Sequence, residues 1–92
     1  MKTQAAIPVA DIEATILALT AQRGPAKSIC PSEVARALRP DWQLLLGEVR
    51  RTACRLAAAG RIDILRKGQV VAPAGLKGVI RLRAAQPPQD GR

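Results

Sequence analysis

An α+β domain, three helices followed by a small antiparallel β-wing, is the fold class predicted by this 92-residue sequence. Three observations predict it. Apolar residues recur at helical spacing as far as Ala59, whereas the segments after Gly60 alternate polar and apolar in strand fashion. Gly24-Pro25, Arg39-Pro40-Asp41 and Gly60 interrupt the helical pattern, which divides it into three helices instead of one. The length suits one small hydrophobic core and leaves no room for a second domain of ordinary size.

The first helix is expected from about Val9 to Gln22. Asp11 and Glu13 place negative charge in its first turn, Ile12, Ile16 and Leu19 share a face, and Gly24-Pro25 stops it. Lys27-Ser28-Ile29 is extended and long enough only for an isolated strand pairing. Pro31 suits the first position of a second helix and Glu33 its third, with Cys30 standing where a capping Ser or Thr is usual. That helix runs to about Leu38 and buries Val34, Ala35 and Leu38. The third helical stretch, Trp42 to Ala59, gathers Trp42, Leu45, Leu46, Val49, Ala53, Leu56 and Ala57 into one stripe. Its other side carries Gly47, Arg51, Cys54, Arg55 and Ala58, with Arg50 on the flank. Gly47 leaves open whether Asp41 to Leu46 forms a separate turn. Arg61 to Ile64 reads as a strand, Arg66-Lys67-Gly68 as a tight basic turn into Gln69-Val70-Val71, and Gly78 to Arg83 as a further alternating segment. Residues 1–8 are expected to be a disordered lead, 9–83 the domain and 84–92 a disordered tail with nothing to bury.

The composition excludes much chemistry. The chain has no His, Phe or Tyr and a single Trp. Without imidazole it has no common general base and no His-assisted nucleophile, and Cys30 and Cys54 alone cannot make a tetrahedral metal site. The expectation is a protein that is not an enzyme and holds no metal or cofactor. The lack of aromatics also argues against a stacking platform for single-stranded nucleic acid. No apolar run reaches the 18 or so residues of a membrane span, and Met1 to Val9 does not resemble a signal peptide, so a cytoplasmic protein with free thiols is expected. Cys30, at a helix N-terminus, reads as a small buried hydrophobe in preference to a redox-sensitive thiol.

Charge is unevenly spread. Residues 1–49 hold five Lys and Arg against five Asp and Glu, whereas residues 50–92 hold ten against two, so the whole net charge of +8 lies in the second half. A segregated positive field suits a polyanion, with solubility as the plainer alternative. The element order, helix, short strand, helix, turn, longer helix and basic hairpin, is that of a winged helix-turn-helix, in which the third helix enters the major groove and the hairpin touches the flanking backbone. Winged helices also dock proteins, so the fold alone does not decide the partner.

The block Ser28-Ile29-Cys30-Pro31-Ser32-Glu33-Val34-Ala35-Arg36-Ala37-Leu38 resembles a small bacterial winged-helix family of unknown function. The likeness continues through Trp42, Val49-Arg50, Leu56-Ala57, Gly60-Arg61-Ile62, Lys67-Gly68 and Gly78 with Ile80-Arg81-Leu82-Arg83, covering about residues 10–83. The family pattern has an Asp before the proline after the wing and a polar residue after the second Ile of that strand; Ala72 and Leu65 stand there instead. The resemblance implies a winged-helix fold and carries no activity.

These readings converge on a nucleic-acid-binding module, with duplex DNA favoured over structured RNA, and on a possible role as a small regulator. The candidate contacts are Arg50, Arg51 and Arg55 on the third helix and Arg66 and Lys67 at the wing tip, whose guanidinium and ammonium groups suit phosphate or a guanine edge. Against them stand a solvated helix face and an ordinarily polar hairpin tip. Arg51 and Arg55 have no acid between them, a mild repulsion that favours an external partner. Arg81 and Arg83 read as edge-strand charges that prevent aggregation, and Trp42 as a core anchor. The alternative function is a protein-interaction winged helix with an acidic partner, and a homodimer is compatible with either.

Overall fold

The computed structural model describes residues 7–74 and 76–85. It contains α1 (Val9–Arg23), α2 (Pro31–Leu38), a 3₁₀ turn (Trp42–Leu45), α3 (Leu46–Ala58), β1 (Ile62–Arg66), β2 (Gln69–Val71) and β3 (Arg81–Ala84). Three helices and a three-stranded antiparallel sheet make the α+β fold that the sequence predicts, and the arrangement is compatible with a winged helix.

Local signals account for the helix ends. Pro8 precedes α1 in an extended conformation, Asp11 lies in the first turn, and Gly24 closes the helix by donating its N–H to the Thr20 carbonyl at 3.0 Å. In α2, Pro31 opens the first turn and Glu33 Oε2 accepts the Cys30 N–H at 3.0 Å, so the carboxylate satisfies a donor that the helix itself leaves free. Arg39 and Asp41 brace the turn after α2, with Arg39 Nη2 donating to Asp41 Oδ2 at 2.8 Å. That hydrogen bond holds the Asp41 carboxyl below its ordinary range.

The third helical stretch breaks one residue before Gly47. The 3₁₀ turn over Trp42–Leu45 hands over to α3 at Leu46, and the tighter winding puts Leu45 in the core and leaves Leu44 78% exposed. Gly47 therefore lies inside the first turn of α3, and a Cβ there would meet only the Arg51 guanidinium, at an ordinary 3.6 Å. Nothing in the fold requires glycine at this place. Gly47→Ala is expected to raise stability by about 0.5 kcal/mol, read as a higher urea midpoint with an unchanged slope.

The sheet order is β2-β1-β3, and Ile29 adds a single antiparallel bridge to Leu82 on the far side of β3. Ile29 donates to the Leu82 carbonyl at 2.7 Å and accepts the Leu82 N–H at 2.8 Å, the isolated pairing expected for that segment. The helices cover one face, α1 against β3 and α3 against β1. Between the layers lies an aliphatic core of Ile12, Ile16, Ile29, Val34, Val49, Ile62, Ile64, Ile80 and Leu82, all shielded from solvent. Trp42 packs against its margin, and the Arg36 guanidinium lies 4.5 Å from the Trp42 ring centroid.

Some details differ from the expectations. Thr20 joins Ile12 and Ile16 as a buried residue of α1, and half-buried Leu19 packs at the margin of the core on the same side, as its spacing predicts. Thr20 is tolerated there because its hydroxyl donates to the Ile16 carbonyl at 2.8 Å. Ile7 packs against the core, and residues 1–6 of the expected lead lie outside the described residues. At the other end β3 starts at Arg81 and extends to Ala84, which pairs with Ile62. The remainder of the expected tail, residues 86–92, also lies outside the described residues. Arg81 and Arg83 do lie on a terminal strand of the sheet, β3, whose outer side carries a single bridge from Ile29, but neither charge is left simply to guard that edge, because Arg81 is bonded to Ser28. Arg83 is half-buried and pairs with Asp63 across the sheet at 2.7 Å.

Candidate nucleic-acid interface

The wing is built on a two-residue turn. Arg66 pairs with Gln69, and between them Lys67 at φ 53° and Gly68 at φ 80° both take positive φ. A type I′ hairpin turn requires this and normally fills its first central position with Asn, Asp or Gly. Here a lysine occupies that position and projects its charge from the tip of the hairpin.

After β2 the chain does not run straight into β3. Residues 72–74 and 76–80 pass beside α3 and are tied to it at two points: Cys54 donates its thiol hydrogen to the Pro73 carbonyl at 3.4 Å, and Arg50 Nη1 donates to the Gly78 carbonyl at 3.1 Å. Gly78 has φ 73°, and a Cβ on it would lie 3.7 Å from Arg66 Nη2, so the wing guanidinium lies close to the glycine whose carbonyl Arg50 of α3 bonds. A cleft of about 410 Å³ separates the loop from α3, with Arg50, Arg51, Cys54, Pro73 and Leu76 on its walls.

The five candidate residues thus fall into distinct circumstances. Arg51 and Arg55 project from the exposed side of α3 together with Gly47 and Ala58, as the helical pattern predicts. Arg55 makes a long bond of 3.5 Å to Thr52 Oγ1. Arg66 and Lys67 are exposed on the wing, and among the described residues neither forms an ion pair. Arg50 is half-buried and spends one donor on Gly78, which makes it a tether of the loop as well as a cation. No acid lies between Arg51 and Arg55, but Glu48, one turn before Arg51, pairs with it at 2.7 Å, both side chains being at least half exposed. An exposed pair of this kind is worth little and yields readily to another anion.

Sequence reasoning missed the participation of Gly78, Pro73 and Leu76. A glycine inside an alternating segment does signal close backbone approach, and Gly78 is such a residue. Half-buried Cys54 is placed by the same overlying chain through Pro73, whereas Thr52 is fully buried on α3 together with Val49, Ala53 and Leu56. Both cysteines are free thiols. Cys30 Sγ accepts the Ser32 hydroxyl at 3.1 Å. Among the described residues there is no group of three or more Cys, Asp or Glu able to hold a metal ion, and no helix is long and apolar enough to cross a membrane.

Fold and surface together define a small three-helix α+β domain with a basic hairpin at one end of its sheet. Residues 9–85 match the model of a family described as proteins of unknown function, DUF3253, and the chain belongs to that family. Comparison with curated proteins finds no match.

Proposed function

We propose that the chain is a non-catalytic nucleic-acid-binding module of winged-helix type. It takes duplex DNA, with α3 presented to the major groove and the wing laid against the neighbouring backbone. The observation that carries this reading is the proximity at Gly78: Arg50 from α3 bonds its carbonyl, and the Arg66 guanidinium of the wing lies so near that a Cβ on Gly78 would meet it at 3.7 Å. The exposed cations Arg51 and Arg55 on one side and Arg66 and Lys67 on the other therefore belong to adjoining surfaces. Lys67 adds support, because a lysine is held at positive φ where smaller residues make the same turn with less strain. Few groups on these surfaces suit base reading, so phosphate contact is the main source of affinity and sequence preference is weak.

The test is retention of the full chain on immobilised duplex DNA, structured RNA and an acidic protein over a salt series. Binding to duplex is expected to fall steeply with salt, with a log–log slope of roughly −4 to −5, about 0.9 for each phosphate neutralised. Absence of duplex binding even at low salt sinks the reading, and tighter retention on RNA transfers it to structured RNA.

A further inference from the structure

We propose that a groove on the sheet face away from the helices binds an acidic peptide segment carrying a branched aliphatic residue, supplied by a partner protein. This site lies on the sheet away from α3 and shares only Arg66 and Lys67 with the surface proposed for DNA; its argument does not rest on the DNA reading.

Cross-strand partners share a face, so Leu65 on β1 lies beside Val70 on β2 and Arg81 on β3, opposite in sense to the core residues Ile62 and Ile64. On the same face one step along, Asp63 and Arg83 are also partners and their charges cancel in the 2.7 Å pair. The end nearer the wing has no such cancellation. A groove of about 440 Å³ opens there, with Leu65 as its floor and Arg66, Lys67, Ser28, Arg81 and Val79 around it. Among the described residues its lining holds three cations and no carboxylate.

Two features make this a prepared site and not merely a positive surface. Arg81 is fixed before any ligand arrives: its Nε donates to Ser28 Oγ at 2.6 Å and its Nη2 to the Ser28 carbonyl at 3.0 Å. A guanidinium so held keeps further N–H donors for a carboxylate and loses little freedom on using them. Val79 is 82% exposed beside it, and Val70 is also exposed on the sheet face. A phosphate backbone satisfies the cations but leaves Leu65 and Val79 unused. A peptide segment that sets Asp or Glu beside Leu, Ile or Val uses both, which is why a protein partner is favoured over nucleic acid here.

The experiment is fluorescence anisotropy of the full chain with labelled acetyl-Asp-Glu-Leu-Asp-Leu-Glu-amide and with the same peptide carrying Ser for Leu, using wild type, Val79→Glu and Arg81→Gln. The expected result is that wild type binds the Leu peptide at least tenfold more tightly than the Ser peptide, and that each variant loses at least tenfold on the Leu peptide. Val79→Glu alters a residue almost wholly in solvent, so its result stands even if Arg81→Gln lowers the thermal midpoint. Equal binding of the two peptides, or a Leu peptide indifferent to Val79→Glu, overturns the proposal. Displacement of the peptide by duplex DNA with no preference for Leu overturns it too, and makes the groove part of a polyanion surface.

Discussion

Replacing Arg51, Arg55, Arg66 and Lys67 together by Ala is expected to lower duplex DNA affinity at physiological salt by roughly two to three orders of magnitude. The log–log salt slope should fall by about 3 to 4. The size follows from counterion release: each phosphate no longer neutralised removes about 0.9 from the slope, and the loss is the same for every sequence because backbone contacts carry no base information. The fold should survive. All four side chains are exposed, and the one ion pair lost, Arg51 with Glu48, is open to solvent. Two consequences separate this from a general charge effect. Removing Arg51 and Arg55 leaves Glu48 unpaired on the exposed side of α3, where it repels phosphate. Removing Arg23, which pairs with Glu33 at the end of α1, changes the net charge by one and should move the slope far less. A quadruple variant with undiminished affinity shows that the basic half serves solubility or a protein partner.

The second large effect is on stability. Ile64→Ala should destabilise the domain by about 3 kcal/mol, the middle of the range for truncating a buried aliphatic side chain. Ile64 is fully buried on the central strand, paired with Val71 of β2 and Leu82 of β3, and faces the layer of helices. The core is mainly aliphatic and its β-branched side chains are stiff, so neighbours have little scope to fill the gap. For a domain of this size the loss is a large part of the total stability, which runs at about 0.1 kcal/mol per residue. Urea unfolding followed by circular dichroism measures it. A change under about 1 kcal/mol would mean that the sheet does not pack as described.

Stability and the proposed function pull apart at Gly47 and Lys67. The first is a glycine that the fold does not need, and the second is a lysine in a turn that smaller residues make with less strain. Both lie on the surface assigned to DNA, Gly47 where a missing side chain allows close approach and Lys67 where a charge is carried to the hairpin tip. Local rules broken without a structural gain are expected at functional surfaces.

Much of this protein follows from its sequence alone. The span of α2 is legible in Pro31 and Glu33, the end of α1 in Gly24-Pro25, and the wing turn in Lys67-Gly68, because each depends on interactions within one turn of chain. The outward projection of Arg51 and Arg55 likewise follows from helical periodicity, and four of the five candidate cations stand exposed where the sequence puts them. What the tertiary structure decided lies between residues far apart in the chain. Arg50 is drawn to Gly78 and Cys54 to Pro73 because residues 72–74 and 76–80 return beside α3, a path that no local propensity specifies. Arg83 meets Asp63, and Arg81 meets Ser28, only because β3 pairs with β1 on one side and takes the bridge from Ile29 on the other. Periodicity says which side of an element is apolar. Which cation is tethered and which remains free for a ligand is set by the segment that packs over it, through contacts whose partners the chain brings together only on folding.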